Sequence, residues 1–329
     1  MTSPACLILG GTGTLAAAAE DLARSGVDVT VTCRRPELAP RHWTALGIRV
    51  LALDRDDAPG IDALVGDGVD GIVDGQCYTP DHAAALARWS RASGSTIMLS
   101  SRAVYVDAAG RHANSEEAPQ WPGPTPETTA TMEHHGEPYA SRLGYGANKA
   151  QAERVLAADG ERVSVLRAAR IHGPSTRRVR EWPLVRSVLE GAREIAVARA
   201  DEIGTLTSTA SLAQALAACL RRPGSRVVNV GDAPAVTNLQ AARILTGALR
   251  DGGTTATGLA VRPAAPGEAG ALPGAWATGQ ELDLSTLREL VGPPPEPAAT
   301  LARTARWVRS IARRGADGAW ELPDQFDGG

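Results

Sequence analysis

Ala5-Cys6-Leu7-Ile8-Leu9-Gly10-Gly11-Thr12-Gly13-Thr14-Leu15-Ala16 sets an apolar run, a glycine turn and an Ala-rich stretch end to end. Ala5 to Leu9 reads as a short buried strand, and Leu15 to Ser25 has helical composition. Gly26 closes that helix, and Val27-Asp28-Val29-Thr30-Val31-Thr32 follows as a second strand. A βαβ unit therefore stands at the start of the sequence. Read from Gly11, the turn is G-x-G-x-x-A. Glycines there permit a tight turn and let the backbone approach a pyrophosphate at the helix N-terminus. Gly10, Thr12, Gly13, Thr14 and Leu15 are the candidate dinucleotide contacts. Placement directly after a strand separates this turn from a glycine-rich turn of no chemical consequence.

Working outward, further strands are predicted at Ile48 to Leu53, Gly71 to Val73, Thr96 to Leu99, Ser164 to Leu166 and Val227 to Val230, with helical segments between them. That alternation predicts an α/β fold, a Rossmann-type doubly wound parallel sheet covered on both faces. Between Asp107 and Leu143 the composition turns to Pro, Glu, Thr and His, which predicts a long surface loop of the lid or binding kind. Thr254 to Gly279 and Pro293-Pro294-Pro295-Glu296-Pro297 read as connectors, and Ala298 to Arg314 as a last helix carrying Trp307. No internal repeat is found.

The bulk properties are those of an ordinary globular chain: 329 residues, 43% hydrophobic, 22% charged. A net charge of -3 offers no basic excess for a phosphodiester backbone, which argues against nucleic acid as the partner. Cys6, Cys33, Cys77 and Cys219 lack metal-ligand spacing and predict free thiols in a reducing compartment, with no metal site. Met1-Thr2-Ser3-Pro4 leads straight into the first strand without the pattern of an export signal, and apolar runs are too short to span a bilayer. The expectation is a cytoplasmic protein with no membrane partner.

Tyr145-Gly146-Ala147-Asn148-Lys149 places a phenol and an ammonium at spacing i, i+4, on one face of a helix. A cation beside a phenol favours the phenolate, and such a tyrosine can exchange a proton with a carbinol at ordinary pH. At the end of the second strand, where NAD-binding folds carry an acid for the ribose, stands Cys33-Arg34-Arg35. Two guanidiniums suit a 2′-phosphate, which predicts NADP(H) over NAD(H). After the third strand, Asp54 and Arg55 are candidates to frame the adenine, the acid accepting from its amino group and the arginine stacking on it.

Together these residues resemble the extended short-chain dehydrogenase/reductase superfamily, of the NAD(P)-dependent epimerase/dehydratase type. The likeness rests on Gly10-Gly11-Thr12-Gly13, on Leu99-Ser100-Ser101-Arg102-Ala103-Val104-Tyr105 as the S-S-x-x-V-Y strand end, and on Tyr145 to Lys149 as Y-x-x-x-K. Leu166-Arg167-Ala168-Ala169-Arg170-Ile171-His172-Gly173-Pro174 is similar to the family's L-R-P-x-x-x-Y-G-P; Val228 to Gly231 and Leu282 to Ser285 extend the match. The resemblance implies that Ser101 orients the substrate oxygen, Tyr145 is the acid/base, and Lys149 holds the nicotinamide ribose and favours the tyrosinate. It implies a dinucleotide-binding domain at 1–174 with about 205–232, a substrate lobe at about 175–204 with 233–329, and a homodimer through the helix of Tyr145 and its neighbour. Arg102-Ala103 stands where the sugar-nucleotide 4,6-dehydratases of this family carry Asp-Glu, so elimination of water by that route lacks its proton donor and acceptor. Ser211 replaces the aspartate usual before Leu-Ala.

The reading that follows is an NADP-preferring oxidoreductase moving hydride to or from a hydroxyl or ketone of a small polar biosynthetic molecule. An NAD(P)-dependent epimerase of a nucleotide-activated sugar is the alternative, and a non-catalytic dinucleotide sensor or RNA-binding protein the alternative of another class. Arg102, His172 and Arg178 are the candidate substrate contacts. Clustered guanidiniums at Arg177, Arg178, Arg180 and Arg186 suit phosphates or, equally, a solvated helix face.

Overall fold

The structure is a computed structural model that describes residues 4–66, 68–251, 258–274, 276 and 278–326. In chain order its first half runs β1 (Ala5–Leu9), α1 (Ala16–Arg24), β2 (Asp28–Cys33), β3 (Arg49–Ala52), α2 (Ala58–Gly66), β4 (Val69–Asp74), α3 (Pro80–Ser90), β5 (Ser93–Ser101), α4 (Gly144–Asp159) and β6 (Val163–Ala168). There follow β7 (Arg170–His172), α5 (Trp182–Leu189), β8 (Glu194–Val197), β9 (Ile203–Gly204), β10 (Leu206–Ser208), α6 (Thr209–Arg221), β11 (Arg226–Val230), β12 (Val236–Thr237) and α7 (Asn238–Asp251). The last elements are β13 (Ala260–Pro263), α8 (Ser285–Val291), α9 (Pro297–Ile311), β14 (Arg313–Arg314) and β15 (Trp320–Glu321).

Seven strands form one sheet in the order β11-β6-β5-β4-β1-β2-β3, every pairing parallel. This is the doubly wound sheet that the alternation of apolar runs predicts. Winding reverses between β1 and β4, and ligands of such sheets bind beyond the strand C-termini at that switch point. Strands buried on both faces must be apolar on both. Leu7 and Leu9 of β1 accordingly pack with Ile61, Ile72, Leu86, Trp89 and Met98, while Ile8 on the other face is fully buried.

The chain divides into two compact units, 1–169 with 212–230 and 283–292, and 170–211 with 231–282 and 293–329. Relative to the expected partition, 170–174, 205–211 and 231–232 fall in the second unit and 283–292 in the first. Residues 205–211 belong to the second unit because β10 pairs with β7 in parallel. Residues 283–292 belong to the first, where Asn229 Nδ2 of β11 donates to the carbonyls of Thr125 (2.9 Å) and Asp283 (3.1 Å). The second unit has its own core, in which Leu245 and Leu249 of α7 meet Leu301, Ala305 and Val308 of α9, with Leu184 and Val185 of α5. Its connector 254–279 contains β13, held as a strand by its parallel partner β8, a pairing that local composition does not encode. The part of that connector at 254–257, 275 and 277 lies outside the described residues. The last helix stops at Ile311 because Arg313–Arg314 turn into an antiparallel pair with Trp320–Glu321.

A buried polar network fastens the first unit. Arg167 of β6 grips Glu153 of α4 through Nε (3.0 Å) and Nη2 (2.5 Å). Ser100 of β5 donates to the same carboxylate, and Arg167 Nη1 donates to the Glu127 carbonyl at 2.9 Å. The guanidinium lies 4.7 Å from the ring centre of Tyr105, whose hydroxyl bonds Asn229 Oδ1 at 2.6 Å. Truncating one partner leaves a buried charge uncompensated, so Glu153→Ala is expected to lower the unfolding free energy of this unit by about 3–5 kcal/mol. Urea unfolding followed by circular dichroism measures it; a loss under about 1 kcal/mol would show the pair to be dispensable.

Candidate functional site

The glycine turn after β1 has the shape of a phosphate cradle. Gly10 holds φ at 77° while its amide donates to the Thr32 carbonyl at 3.0 Å, and a side chain there would overlap Gln76. A Cβ at Gly11 would come within 2.8 Å of Val31. Helix α1 then begins at Ala16, with Leu15 as an N-cap residue that makes no side-chain cap and with no acid in its first turn, so the positive end of its dipole favours an anion there. Arg34 and Arg35 stand exposed immediately after β2. Glycines that admit no side chain, an uncapped helix start and two free-standing arginines fit a phosphate-bearing dinucleotide.

Of the two residues expected to frame the adenine, one has another task. Arg55 is buried, with Nε on Asp74 Oδ2 (2.8 Å), Nη2 on the His82 carbonyl (2.7 Å) and its guanidinium 4.8 Å from the Trp89 ring centre. The Asp74 carboxylate at the end of β4 is fully buried and needs this counter-charge, so Arg55 is not available for stacking. Asp54 remains at the surface, accepting the Asp56 amide at 3.1 Å.

Ser101 ends β5, and its Oγ accepts the Ala103 amide at 3.2 Å. Helix α4 comes so close to the following turn that a methyl group on Gly146 would overlap the Ala103 carbonyl and the Met132 sulfur. This approach brings the first turn of α4, with partly exposed Tyr145, against the strand end with Ser101 and Arg102. One turn on, Lys149 is 1% exposed. Its Nζ donates to the Leu99 carbonyl at 2.7 Å and lies 4.6 Å from the ring centre of Tyr78. Ser101, Tyr145 and Lys149 are thus gathered where α4 meets the end of β5.

The 107–143 segment is tied down along its length. The amides of Val106 and Met132 donate to the carbonyls of Ala130 (3.0 Å) and Val104 (2.7 Å). Glu137 gives its carbonyl to Asn148 Nδ2 at 2.6 Å, and Tyr139 stacks on Tyr78 at 5.4 Å, beside Lys149. Sequence reasoning missed this aromatic pair, since Tyr78 and Tyr139 belong to no motif. The near end of the segment wraps around Asp107, which accepts the amides of Ala109, Arg111 and Gln120 and the Arg111 Nε.

In the second unit the His172 ring, expected to contact substrate, has both nitrogens facing protein groups. It is buried, with Nδ1 on Thr304 Oγ1 (2.9 Å) and Nε2 facing Asp232 (3.3 Å). Asp232 is fully buried and also accepts Ser208, Ser211 and Thr300. Burial alone would raise its pKa, but the bonds from His172, Ser211 and Thr300 hold it below the ordinary carboxylate value. The Ser211 hydroxyl thus donates to the Asp232 carboxylate. Arg186 is spent on a surface pair with Glu190, one helical turn away at 2.8 Å. Arg178 is exposed.

No family model matches the chain, and no curated protein matches it. Among solved structures it is similar to MoeE5 in complex with UDP-glucose and NAD, at 20% identity, TM-score 0.64, over 93% of this chain and 98% of that one. It is also similar to the Bordetella bronchiseptica enzyme WbmH in complex with NAD+ (16%, TM-score 0.68, 94% and 99%). A third likeness is to the UDP-glucose 4-epimerase of Thermotoga maritima with UDP-glucose (16%, TM-score 0.65, 93% and 99%). The chain therefore shares the fold of these enzymes over nearly its whole length. No helix among the described residues is long and apolar enough to cross a membrane.

Asp107 gives a pH signature. Burial would raise its pKa, yet the Gln120 and Arg111 amides and the Arg111 guanidinium draw it down to about 2. A depressed acid contributes stability above its unfolded pKa of about 4, which is lost as pH falls through the folded value. Hydrogen exchange of peptide 107–120 is expected to show protection at pH 6 that declines below about pH 4. Asp107→Asn should lack that protection at pH 6; equal protection in both proteins would contradict the assignment.

Proposed function

We propose that this protein is a nicotinamide-dependent oxidoreductase acting at a hydroxyl-bearing or carbonyl carbon, with Tyr145 as acid/base, Ser101 as partner to the substrate oxygen and Lys149 as holder of the nicotinamide ribose. The observation that carries the reading is the full burial of Lys149 beside the Tyr145 turn, on a carbonyl and an aromatic ring and with no carboxylate partner among the described residues. An ammonium left without a counter-charge in such a place is costly, and sites of chemistry are where such costs persist.

When bound, the nicotinamide supplies or accepts hydride at its C4. In the reducing direction Tyr145 Oη gives its proton to the substrate oxygen as the carbinol forms. In the oxidising direction it takes that proton back, with the charge of Lys149 one helical turn away stabilising the phenolate. Ser101 Oγ hydrogen-bonds the same oxygen, fixing which carbon is presented. The glycine turn and the start of α1 hold the pyrophosphate. Exposed Arg34 and Arg35 at the end of β2 favour NADP(H) over NAD(H), because guanidinium pairs bind a 2′-phosphate bidentately. The substrate is a small polar molecule of biosynthesis, the location the cytoplasm and the assembly a homodimer through α4 and its neighbour.

The epimerase reading is favoured by one specific observation: MoeE5 and the Thermotoga maritima enzyme were both solved with UDP-glucose. Epimerisation uses the same three residues and returns the cofactor to its starting state. Dehydration of the 4,6 type is disfavoured by Arg102 and Ala103, which replace the required acids.

Tyr145→Phe is expected to lower turnover by at least about a thousandfold while leaving dinucleotide affinity within about twofold, since only the proton carrier is removed. Retained turnover would strip Tyr145 of its role. Arg34→Ala with Arg35→Ala should weaken NADPH at least about tenfold more than NADH, the loss of one charge-assisted phosphate contact; equal weakening would mean the arginines do not read that phosphate. Net consumption of NADPH marks a reductase and its stoichiometric return an epimerase. RNA retained on a filter at physiological salt, or tight cofactor binding with no turnover on any alcohol or carbonyl, would favour the non-catalytic readings.

A further inference from the structure

The loop that follows β4 runs from the glycine turn to Lys149. At one end a side chain on Gly10 would overlap Gln76. At the other, the Lys149 ammonium sits over the Tyr78 ring, with Nζ 4.6 Å from its centre. Tyr139 stacks on that ring with 5.4 Å between centres and planes 3° from parallel. A helix, a loop and the 107–143 segment thus each contribute one side chain to a contiguous group.

Both rings are held by their own backbone. The Tyr78 amide faces His82 Nδ1 at 3.2 Å. The same nitrogen lies 2.9 Å from the Gln76 carbonyl, and His82 Nε2 lies 2.9 Å from Asp56 Oδ1. On the other side, Asn148 Nδ2 donates to the carbonyls of Glu137 (2.6 Å) and Gly144 (3.0 Å), and the Gly144 amide donates to Ser141 Oγ at 2.9 Å. A side chain on Gly144 would overlap the Pro138 carbonyl. Residues on either side of Tyr139 are therefore docked on the first turn of α4, although Tyr139 itself is 44% exposed.

The choice of a ring to face Lys149 has a chemical consequence. A carboxylate would fix the ammonium but cancel its field. An aromatic face attracts the cation at short range through its quadrupole, most strongly where water is excluded, and carries no net charge. Of the three N–H donors of an ammonium, one goes to the Leu99 carbonyl at 2.7 Å. The ring face holds the charge without a lone-pair acceptor, so donors are left for a polar ligand.

We propose that Tyr78 is a positioning residue for Lys149: its ring seats the ammonium without neutralising it, and Tyr139 backs that ring, so that the 107–143 segment sets the placement of the lysine. This rests on the role given above to Lys149 as holder of the nicotinamide ribose. The ring and not the phenol hydroxyl seats the cation, so phenylalanine serves as well as tyrosine and leucine does not.

Lys149 is the only lysine in the sequence, so the full chain isotope-labelled at lysine gives a single ε-methylene resonance. In the free wild-type protein that resonance is expected upfield of free lysine, shielded by the ring beneath it. Tyr78→Phe should keep the upfield position, and Tyr78→Leu should lose at least about half of the displacement. NADPH should bind Y78L at least about fivefold more weakly, the loss of a desolvated cation–π contact, and Y78F within about twofold of the wild type. A wild-type resonance at the free-lysine position, or a Y78L that binds NADPH as the wild type does, would overturn the proposal. Should Y78L fail to fold, exposed Tyr139→Leu takes its place: a displaced resonance with at least about twofold weaker NADPH binding supports the seat, and no change in either refutes it. A wild type that binds neither NADPH nor NADH would instead fail the oxidoreductase reading and the positioning role with it, an outcome told apart from failure at Tyr78 because it appears before any substitution is made.

Discussion

Glu153 and Arg167 meet in the interior of the first unit, and the geometry of the proposed chemistry hangs on that pair. Glu153 lies one helical turn beyond Lys149 on α4, so its fork-to-fork bond with β6 sets the rotation of the helix about its axis. The Ser100 hydroxyl on the same carboxylate sets the height of the strand end that carries Ser101. Through Glu127 and Tyr105 the guanidinium reaches the 107–143 segment and, by way of Asn229, β11. Buried ion pairs contribute little net stability against an apolar replacement of the same volume. What this one contributes is orientation, since three strands, a helix and a long segment read their positions from two side chains.

Buried charge in this protein falls into two kinds. Arg55 with Asp74 and Arg167 with Glu153 are pairs in which each charge answers another, and Asp232 is satisfied by hydrogen bonds from Ser208, Ser211 and Thr300 with the His172 ring beside it. Such pairs arrange the backbone and are unavailable to a ligand. Lys149 is of the other kind, a cation withdrawn from water with a carbonyl and a ring around it. Such a cation is costly to bury, and sites of chemistry are where such costs persist.

The sheet was legible because its evidence is local. Apolar runs such as Ala5 to Leu9 and Ser164 to Leu166 are buried on both faces and have one reading. The glycine turn, the Ser101 strand end and the Tyr145 helix were legible for a similar reason, each being a contiguous motif on one element. What escaped was made by pairing across distance. Strand β13 exists only beside β8, Arg55 is claimed by an aspartate on another strand, and His172 is claimed by Asp232 and Thr304. Spacing along a chain carries none of these.

The most direct measurement is equilibrium binding of NADPH, read as energy transfer from the tryptophans to the reduced nicotinamide, in the wild type and in Lys149→Ala. Saturable binding in roughly the micromolar range, near −8 kcal/mol, is expected for the wild type, weakened at least about tenfold by the loss of Lys149. The absence of saturable binding by either NADPH or NADH at millimolar concentration would contradict the account at its centre.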